Sequence, residues 1–243
     1  MKKLILLLVL AVTLASRASA TFSLVQQAHS ACTSCSPTSL TVASTGSGHL
    51  LTLSLIAYNG TSGNINAPTT GCSGSWTVDT NSGVSSGTIF GHITIAYCLS
   101  STSGVTSIAF TVSASNNYRY QFLEYSFTGS SVSYSTSNNV IHTASSNTQV
   151  GATLSGLSGN NAIIRTCMDT VAVSNTISAP YTVEVNDSGG GSTGATADAI
   201  NTASGTGPTW TLGASSGGMM EGAIAFLEAG GGGAPATMPP VVL

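Results

Sequence analysis

Short apolar runs recur along this chain, and turns rich in Gly, Ser and Asn separate them. Within residues 91–100, Ile93, Ile95 and Tyr97 fall on one face of an extended backbone and the residues between them fall on the other. This period of two predicts β-strands throughout. The predicted strands cover residues 22–27, 38–43, 49–57, 75–79, 91–99, 106–112, 118–128, 131–136, 148–154, 161–168, 180–185, 194–200, 208–213 and 222–228.

The spacing of these strands is typical of an antiparallel two-sheet β-sandwich, and we expect a single all-β domain of jelly-roll-like outline over residues 21–229. A chain of this length can bury one sizeable core. No amphipathic helix pattern follows residue 20. The fold class predicted here is therefore all-β.

Both ends of the chain depart from the strand pattern. Residues 1–20 combine Lys2 and Lys3 with an apolar run and the small residues before Thr21, which predicts a bacterial-type secretory signal peptide cleaved after Ala20. Residues 230–243 are rich in Gly and Pro, and their composition predicts a flexible tail. We therefore expect the protein to be secreted or held at the cell surface, without insertion into a membrane.

Charge is scarce after the leader. Only Arg119 and Arg165 remain as cations against eight acidic residues, which gives a formal charge of −6. Proteins that bind nucleic acid neutralise phosphates with Lys and Arg, so this composition argues against a nucleic-acid partner. It also excludes a lysine nucleophile, and it leaves hydroxyl and amide groups to hydrate the surface.

Five cysteines follow the leader, at positions 32, 35, 72, 98 and 167. Export permits disulfides, and an odd number leaves at least one thiol free or paired with another chain. Two bridges among five cysteines can form in about fifteen ways, between which the sequence does not choose. For Cys32 and Cys35 we expect a local structural bridge, because the surrounding pattern lacks the βαβ context of a redox motif.

Several segments together resemble a family of secreted bacterial β-sandwich domains rich in Ser, Thr and Gly. These segments are SLVQQA, GHLLTLSLIA, GSWTVDT, ITIAYCLSSTSG, YQFLEYSFTG, ATADAI, PTWTLGASS and GAIAFLEA, and they extend over nearly all of residues 22–229. The resemblance implies a concanavalin-like or jelly-roll outline. It carries no catalytic residue to this chain.

The stretch YRYQFLEYSFTG, residues 118–129, concentrates what little charge the chain has. On one strand Arg119 and Glu124 fall on opposite faces, and Glu124 shares its face with aromatic rings. Phe-Leu-Glu occurs again before Ala229, and two facing glutamates could act as a glycosidase acid and nucleophile. We therefore considered Glu124 and Glu228 as a catalytic pair, against the alternative that both are structural.

A weaker candidate for chemistry is a cation site. Glu184, Asn186 and Asp187 precede a glycine-rich turn and offer the oxygen ligands that calcium prefers. The same residue types commonly satisfy the backbone of a turn, which is the alternative interpretation. Calcium is the only cofactor that the sequence suggests.

The interpretation that we favour is a non-catalytic module that contacts a glycan or another component of the cell envelope. Neutral hydroxyls and amides can pair with sugar hydroxyls, and aromatic rings can stack on sugar faces. The candidate contact residues are Trp76, Tyr118, Tyr120 and Trp210. The alternatives are a structural subunit of an extracellular matrix, layer or appendage, joined through the unpaired cysteine, and the glycosidase above.

Overall fold

The computed structural model describes residues 21–58, 65–86, 91–114, 116–157, 160–170, 174–189 and 192–229. In these ranges the chain forms seventeen β-strands and no helix. The strands are β1 Phe22–Cys35, β2 Ser39–Thr41, β3 Leu50–Tyr58, β4 Ile65–Asn66, β5 Thr77–Ser86, β6 Gly91–Cys98, β7 Ser107–Ala109, β8 Thr111–Val112, β9 Asn116–Phe127, β10 Ser131–His142, β11 Ser146–Val150, β12 Asn161–Asp169, β13 Thr176–Ile177, β14 Thr182–Gly189, β15 Ser192–Thr202, β16 Thr209–Ser216 and β17 Met219–Ala229.

Two five-stranded antiparallel sheets form the body of the protein. The first sheet has the strand order β1-β9-β3-β6-β5, and the second has the order β10-β17-β12-β15-β14. The two sheets contact each other through one continuous apolar layer, to which β3 and β9 contribute Ile56 and Leu123 and β12 and β17 contribute Ile164 and Phe226. This arrangement is consistent with the predicted β-sandwich, whereas the jelly-roll outline remains a prediction.

Each five-stranded sheet is also covered on its outer face. The short pairs β2-β7 and β4-β8 lie over the first sheet, where Leu40, Ile65 and Ile108 pack against its apolar side chains. The three-stranded sheet β11-β16-β13 lies over the second sheet, and Trp210 packs there against Cys167. Because both faces of these strands are buried, β3 is a nearly continuous apolar run, and β12 buries polar residues such as Arg165 and Thr166 along with its apolar ones.

Most predicted strands are present, and their lengths differ. Strand β1 continues to Cys35, eight residues beyond the predicted end at residue 27, and β5 continues to Ser86. The two-residue strands β4 and β13 were not predicted, because a strand that short has no measurable alternation. The predicted leader and the predicted tail lie outside the described residues. Nothing helical in the described ranges has the length and hydropathy that a membrane span requires.

Two disulfides form within the chain. Cys32 pairs with Cys35, as the sequence predicts, and Cys72 pairs with Cys98. The second bridge fixes the loop before β5 to the end of β6. The fifth cysteine, Cys167, is a buried free thiol on β12, which leaves it inaccessible to a second chain.

Candidate functional site

A polar pocket of about 390 Å³ opens between the two sheets at one end of the body. It lies where β3 ends and β9 begins, beneath the last residues of β1 and facing the edge strand β14. Its lining is formed by Ala31, Cys32, Thr33, Tyr58, Asn117, Arg119, Asp187 and Ser188. We call this concavity the Arg119 pocket.

The register of the first sheet brings its side of the pocket together. Tyr58 on β3 is the partner of Asn117 on β9, and Ala31 on β1 is the partner of Arg119. Residues directly opposite in an antiparallel pair share a face. Tyr58 packs against the apolar layer between the sheets. Its partner Asn117 and Arg119, which lies two residues further along β9, therefore face the same layer.

Asp187 forms the opposite side of the pocket and is held by three groups of the first sheet. His29 Nδ1 lies 2.7 Å from Asp187 Oδ1, and Gln121 Nε2 donates to Oδ2 at 3.4 Å. The backbone carbonyl of Asp187 accepts a hydrogen bond from Arg119 Nε at 3.2 Å. These contacts fix the pocket carboxylate and join β14 to the first sheet.

Gln121 in turn is fixed by a buried network between the sheets. Its Nε2 donates to the Gly194 carbonyl at 2.9 Å, and its Oε1 accepts from the Thr196 hydroxyl. A hydrogen-bonded chain continues through Thr166 to Ser54, with a Ser54–Thr166 oxygen separation of 2.6 Å. Satisfied buried networks of this kind rigidify their surroundings, so the pocket has a preorganised support.

Gly194 lies close to the first sheet where the second sheet approaches this network. A Cβ atom built there would lie 2.6 Å from the Ile56 side chain and 3.3 Å from Cδ of Arg119. Any larger residue would therefore have to displace the tip of the Ile56 side chain and would press on Arg119.

The Arg119 pocket combines donors, acceptors and one ring. Burial lowers the pKa of Arg119, while Asp187 and Tyr58 act in the opposite direction. The guanidinium and the Asp187 carboxylate have formal charges that cancel, so the lining suits an uncharged polar ligand. Asn117 adds an amide whose oxygen accepts from the Ser34 N–H at 2.9 Å, and Tyr58 is the aromatic ring of the lining.

The structure does not bring Glu124 and Glu228 into one site. Glu124 is fully buried on the outer face of the first sheet, where it accepts hydrogen bonds from Gln26, from the Gly46 N–H at 2.7 Å and from His49 Nδ1 at 2.6 Å. Glu228 belongs to the second sheet and accepts from the Gly129 N–H. Each carboxylate therefore has its own structural partners. Glu124 does face away from Arg119, as the strand parity predicts.

The four aromatic residues considered as ligand contacts are buried. Trp76 and Tyr120 keep 6% and 7% of their surface, and Tyr118 and Trp210 keep none. Trp76, Tyr118 and Tyr120 pack on the outer face of the first sheet, and Trp210 packs between the second sheet and its cover. Their apolar area is used in the core, so these rings offer no surface for stacking on a ligand.

Glu184, Asn186 and Asp187 all lie on β14 but do not converge. Asn186 donates to the carbonyl of Asn175 at 2.7 Å, whereas Asp187 points towards the first sheet. A register shift between Val183 and Val185 separates Glu184 from the regular ladder, and burial raises its pKa. Within the described ranges no three His, Cys, Asp or Glu side chains are grouped so that they could hold a metal ion.

The second arginine lies in a fully buried ion pair. Arg165 Nη1 lies 2.8 Å from Glu221 Oε1 and donates to the Ala152 carbonyl at 2.7 Å. Glu221 Oε2 accepts from the Ala152 N–H, and the Tyr181 ring covers the guanidinium at 4.7 Å. Burial raises the pKa of Glu221 and Arg165 opposes this shift. Arg165 and Glu221 are both fully buried, and this cluster fixes the segment around Ala152 to the second sheet.

Sequence reasoning singled out Arg119 and Asp187 but not their neighbours in the pocket. Tyr58 and Asn117 line the pocket and His29 contacts Asp187; the three come from three strands, and only the register of β3, β9 and β1 brings them together. The scarcity of cations marks Arg119. No local pattern marks the other three.

Comparison with known proteins gives no relative: no family model matches the chain, and neither a curated protein nor a solved structure matches it significantly.

Proposed function

We propose that this protein is an exported, non-catalytic binding module and that the Arg119 pocket binds part of a neutral glycan. The observation that carries the proposal is the composition of that pocket, in which the Tyr58 ring lies beside the balanced pair Arg119 and Asp187. Sugar hydroxyls pair with such donors and acceptors, and a ring supports an apolar sugar face. Export rests on the predicted leader and on the two disulfides.

The proposal excludes acid–base catalysis at the glutamates considered above. A glycosidase requires two carboxyl groups on either side of one bond, whereas Glu124 and Glu228 serve different parts of the fold. Among the described residues that line the pocket, Asp187 is the single carboxylate. Binding without cleavage is the function that fits this arrangement.

A glycan array probed with the purified protein tests the proposal. We expect binding to uncharged glycans, reduced by about tenfold or more by Tyr58→Ala because the stacked ring is lost, and reduced also by Asn117→Ala. Asn66→Ala is the matched control, since the Asn66 amide donates to Thr111 Oγ1 outside the Arg119 pocket. Binding that survives both pocket variants, or an array on which no glycan is bound, contradicts the proposal.

A further inference from the structure

A second concavity lies at the opposite end of the same two sheets. Two depressions of about 290 and 320 Å³ adjoin there and share Leu99 and Ser100. Leu51 of β3 is the partner of Cys98, immediately before these residues, whereas Tyr58 at the far end of β3 lines the Arg119 pocket. At about 3.3 Å per residue the two ends are separated by more than 20 Å. We call this second concavity the serine trough.

Among the residues that the structure describes, the serine trough is lined by hydroxyls and apolar groups, with no Asp, Glu, Lys or Arg. Its polar lining includes Ser73, Ser75, Thr77, Ser100, Ser130 and Ser131. Leu99 and Phe127, which are partly exposed, supply apolar surface, whereas Tyr97 and Val132 in the lining are buried. The trough can therefore pair its hydroxyls with those of an uncharged sugar while its apolar groups contact the sugar's apolar face.

Several of these hydroxyls are available for a ligand. Ser75, Ser100 and Ser131 are exposed, and their side chains form no hydrogen bond with any residue that the structure describes. A ligand hydroxyl that bonds to them replaces water without breaking an internal contact.

The walls of the serine trough are fixed before any ligand arrives. The Cys72–Cys98 disulfide joins the loop before β5 to the end of β6, and the Ser73 N–H donates to the Ser100 carbonyl at 2.9 Å. Trp76 anchors the same loop by donating from Nε1 to the Thr70 carbonyl at 2.8 Å. On the floor, Tyr97 stacks on Tyr134 with ring centroids 5.9 Å apart. A preorganised site loses little entropy on binding.

From this geometry we propose that the serine trough is a second binding site for an uncharged, extended glycan. Two adjoining depressions fit a chain of sugar units better than one unit. With a site at each end, the protein bridges two glycan chains, and bridging raises avidity without a new contact. The proposal shares its ligand class with the proposed function but depends on different residues.

Gly74 provides a clean way to close the serine trough. A Cβ atom at Gly74 meets nothing within 4 Å, and this residue lines the first depression. Gly74→Tyr therefore adds a bulky side chain at a position whose Cβ atom has room, and Ser131→Tyr adds one at an exposed position of the second depression. Unfolding by urea shows whether both variants remain as stable as the parent protein.

The test is calorimetric titration of the full chain with cellohexaose, chitohexaose and laminarihexaose. We expect two ligands per chain for the parent protein, one for Gly74→Tyr, one for Tyr58→Ala and none for the double variant. The parent protein should also aggregate the matching soluble polysaccharide, and either single variant should not. Asn66→Ala should behave like the parent protein in both assays.

The outcomes separate the two sites. One ligand per chain that is lost in Tyr58→Ala and retained in Gly74→Tyr overturns the serine trough and leaves the Arg119 pocket. One ligand that is lost only in Gly74→Tyr supports the trough and contradicts the proposed pocket. Absence of binding by all three oligosaccharides overturns the trough as a glycan site.

Discussion

Asp187 Oδ1 lies 2.7 Å from Nδ1 of His29, and this contact joins the edge strand of one five-stranded sheet to the edge strand of the other. The two members of the pair are not equivalent. The His29 side chain is half exposed, whereas the Asp187 side chain keeps 15% of its surface and also accepts from Gln121. The position of the Asp187 carboxylate in the pocket therefore depends more on buried groups such as Gln121 than on His29.

The first prediction follows from that asymmetry. His29→Ala should change the free energy of unfolding by less than about 1 kcal/mol, because solvent screens the half-exposed histidine. Asp187→Ala should cost about 1–2 kcal/mol, since Gln121 loses a buried acceptor, and it should also abolish binding at the Arg119 pocket. Urea denaturation and calorimetry measure both effects. Equal losses of stability in the two variants would contradict the prediction that Asp187 is held mainly by buried groups rather than by His29.

The second prediction concerns pH. Asp198 is buried beside Glu184 and accepts a hydrogen bond from the Tyr125 hydroxyl at 2.8 Å. Desolvation is the main cause that raises the pKa of Asp198 to about 6 from 3.8. Because the folded-state pKa is the higher one, ionisation of Asp198 opposes folding. Its unfavourable contribution is absent below about pH 4 and complete above about pH 6.

Asp198→Asn keeps an acceptor for Tyr125 and removes the charge. It should raise the free energy of unfolding by about 3 kcal/mol at neutral pH and by little below about pH 4. Urea titrations of both proteins across this range give the difference directly. A difference that does not vary with pH, or a variant less stable at neutral pH, would contradict the assignment.

The third prediction concerns the buried ion pair of Arg165 and Glu221. Glu221→Gln leaves a buried guanidinium without its counter-charge and should cost about 3 kcal/mol or more. The double variant Arg165→Met with Glu221→Met removes both charges and should be more stable than Glu221→Gln. Urea unfolding measures the three stabilities. If the double variant is less stable than both the parent protein and Glu221→Gln, the Arg165–Glu221 pair stabilises the fold beyond the mutual neutralisation of its charges, which would contradict this prediction.

The fourth prediction concerns the cysteines. Opening the Cys72–Cys98 bridge releases a loop of sequence separation 26 and should cost about 3.5 kcal/mol, against about 2 kcal/mol for Cys32–Cys35.

Cys167 is fully buried, and burial raises its pKa well above that of a free thiol. Thiol reagents should therefore label Cys167 in denaturant and not in the folded protein. Labelling of the folded protein, or a chain-to-chain disulfide on a non-reducing gel, would be inconsistent with this burial.

Alternation along the chain was enough to predict the class of the fold. Strand β3, which has two buried faces, was found because aliphatic residues fill most of it, whereas β12 also buries Asn161, Arg165 and Asp169. The length of β1 was underestimated because its second half, from Ala28 to Cys35, has small and polar residues on an edge with little to bury. Such a strand is held by pairing with β9 and has no hydrophobic pattern of its own.

The candidate site was predicted only in part, and for a physical reason. Arg119 and Asp187 attract notice because charge is rare, but their neighbour Tyr58 reaches them only through the register of the first sheet. The aromatic residues considered for ligand contact failed for the converse reason. A large ring such as Trp210 gives most stabilisation when buried, and a single sequence does not show which rings have a covering layer.

The most direct test of the account is amide chemical-shift mapping by NMR during titration with a glycan that binds on the array. Saturable shifts are expected at Tyr58, Asn117 and Ser188, which line the Arg119 pocket, and in Tyr58→Ala the shifts at Asn117 and Ser188 should need about tenfold more glycan, or still more, to saturate. Saturable binding that leaves these three residues unmoved in the parent protein would contradict the account.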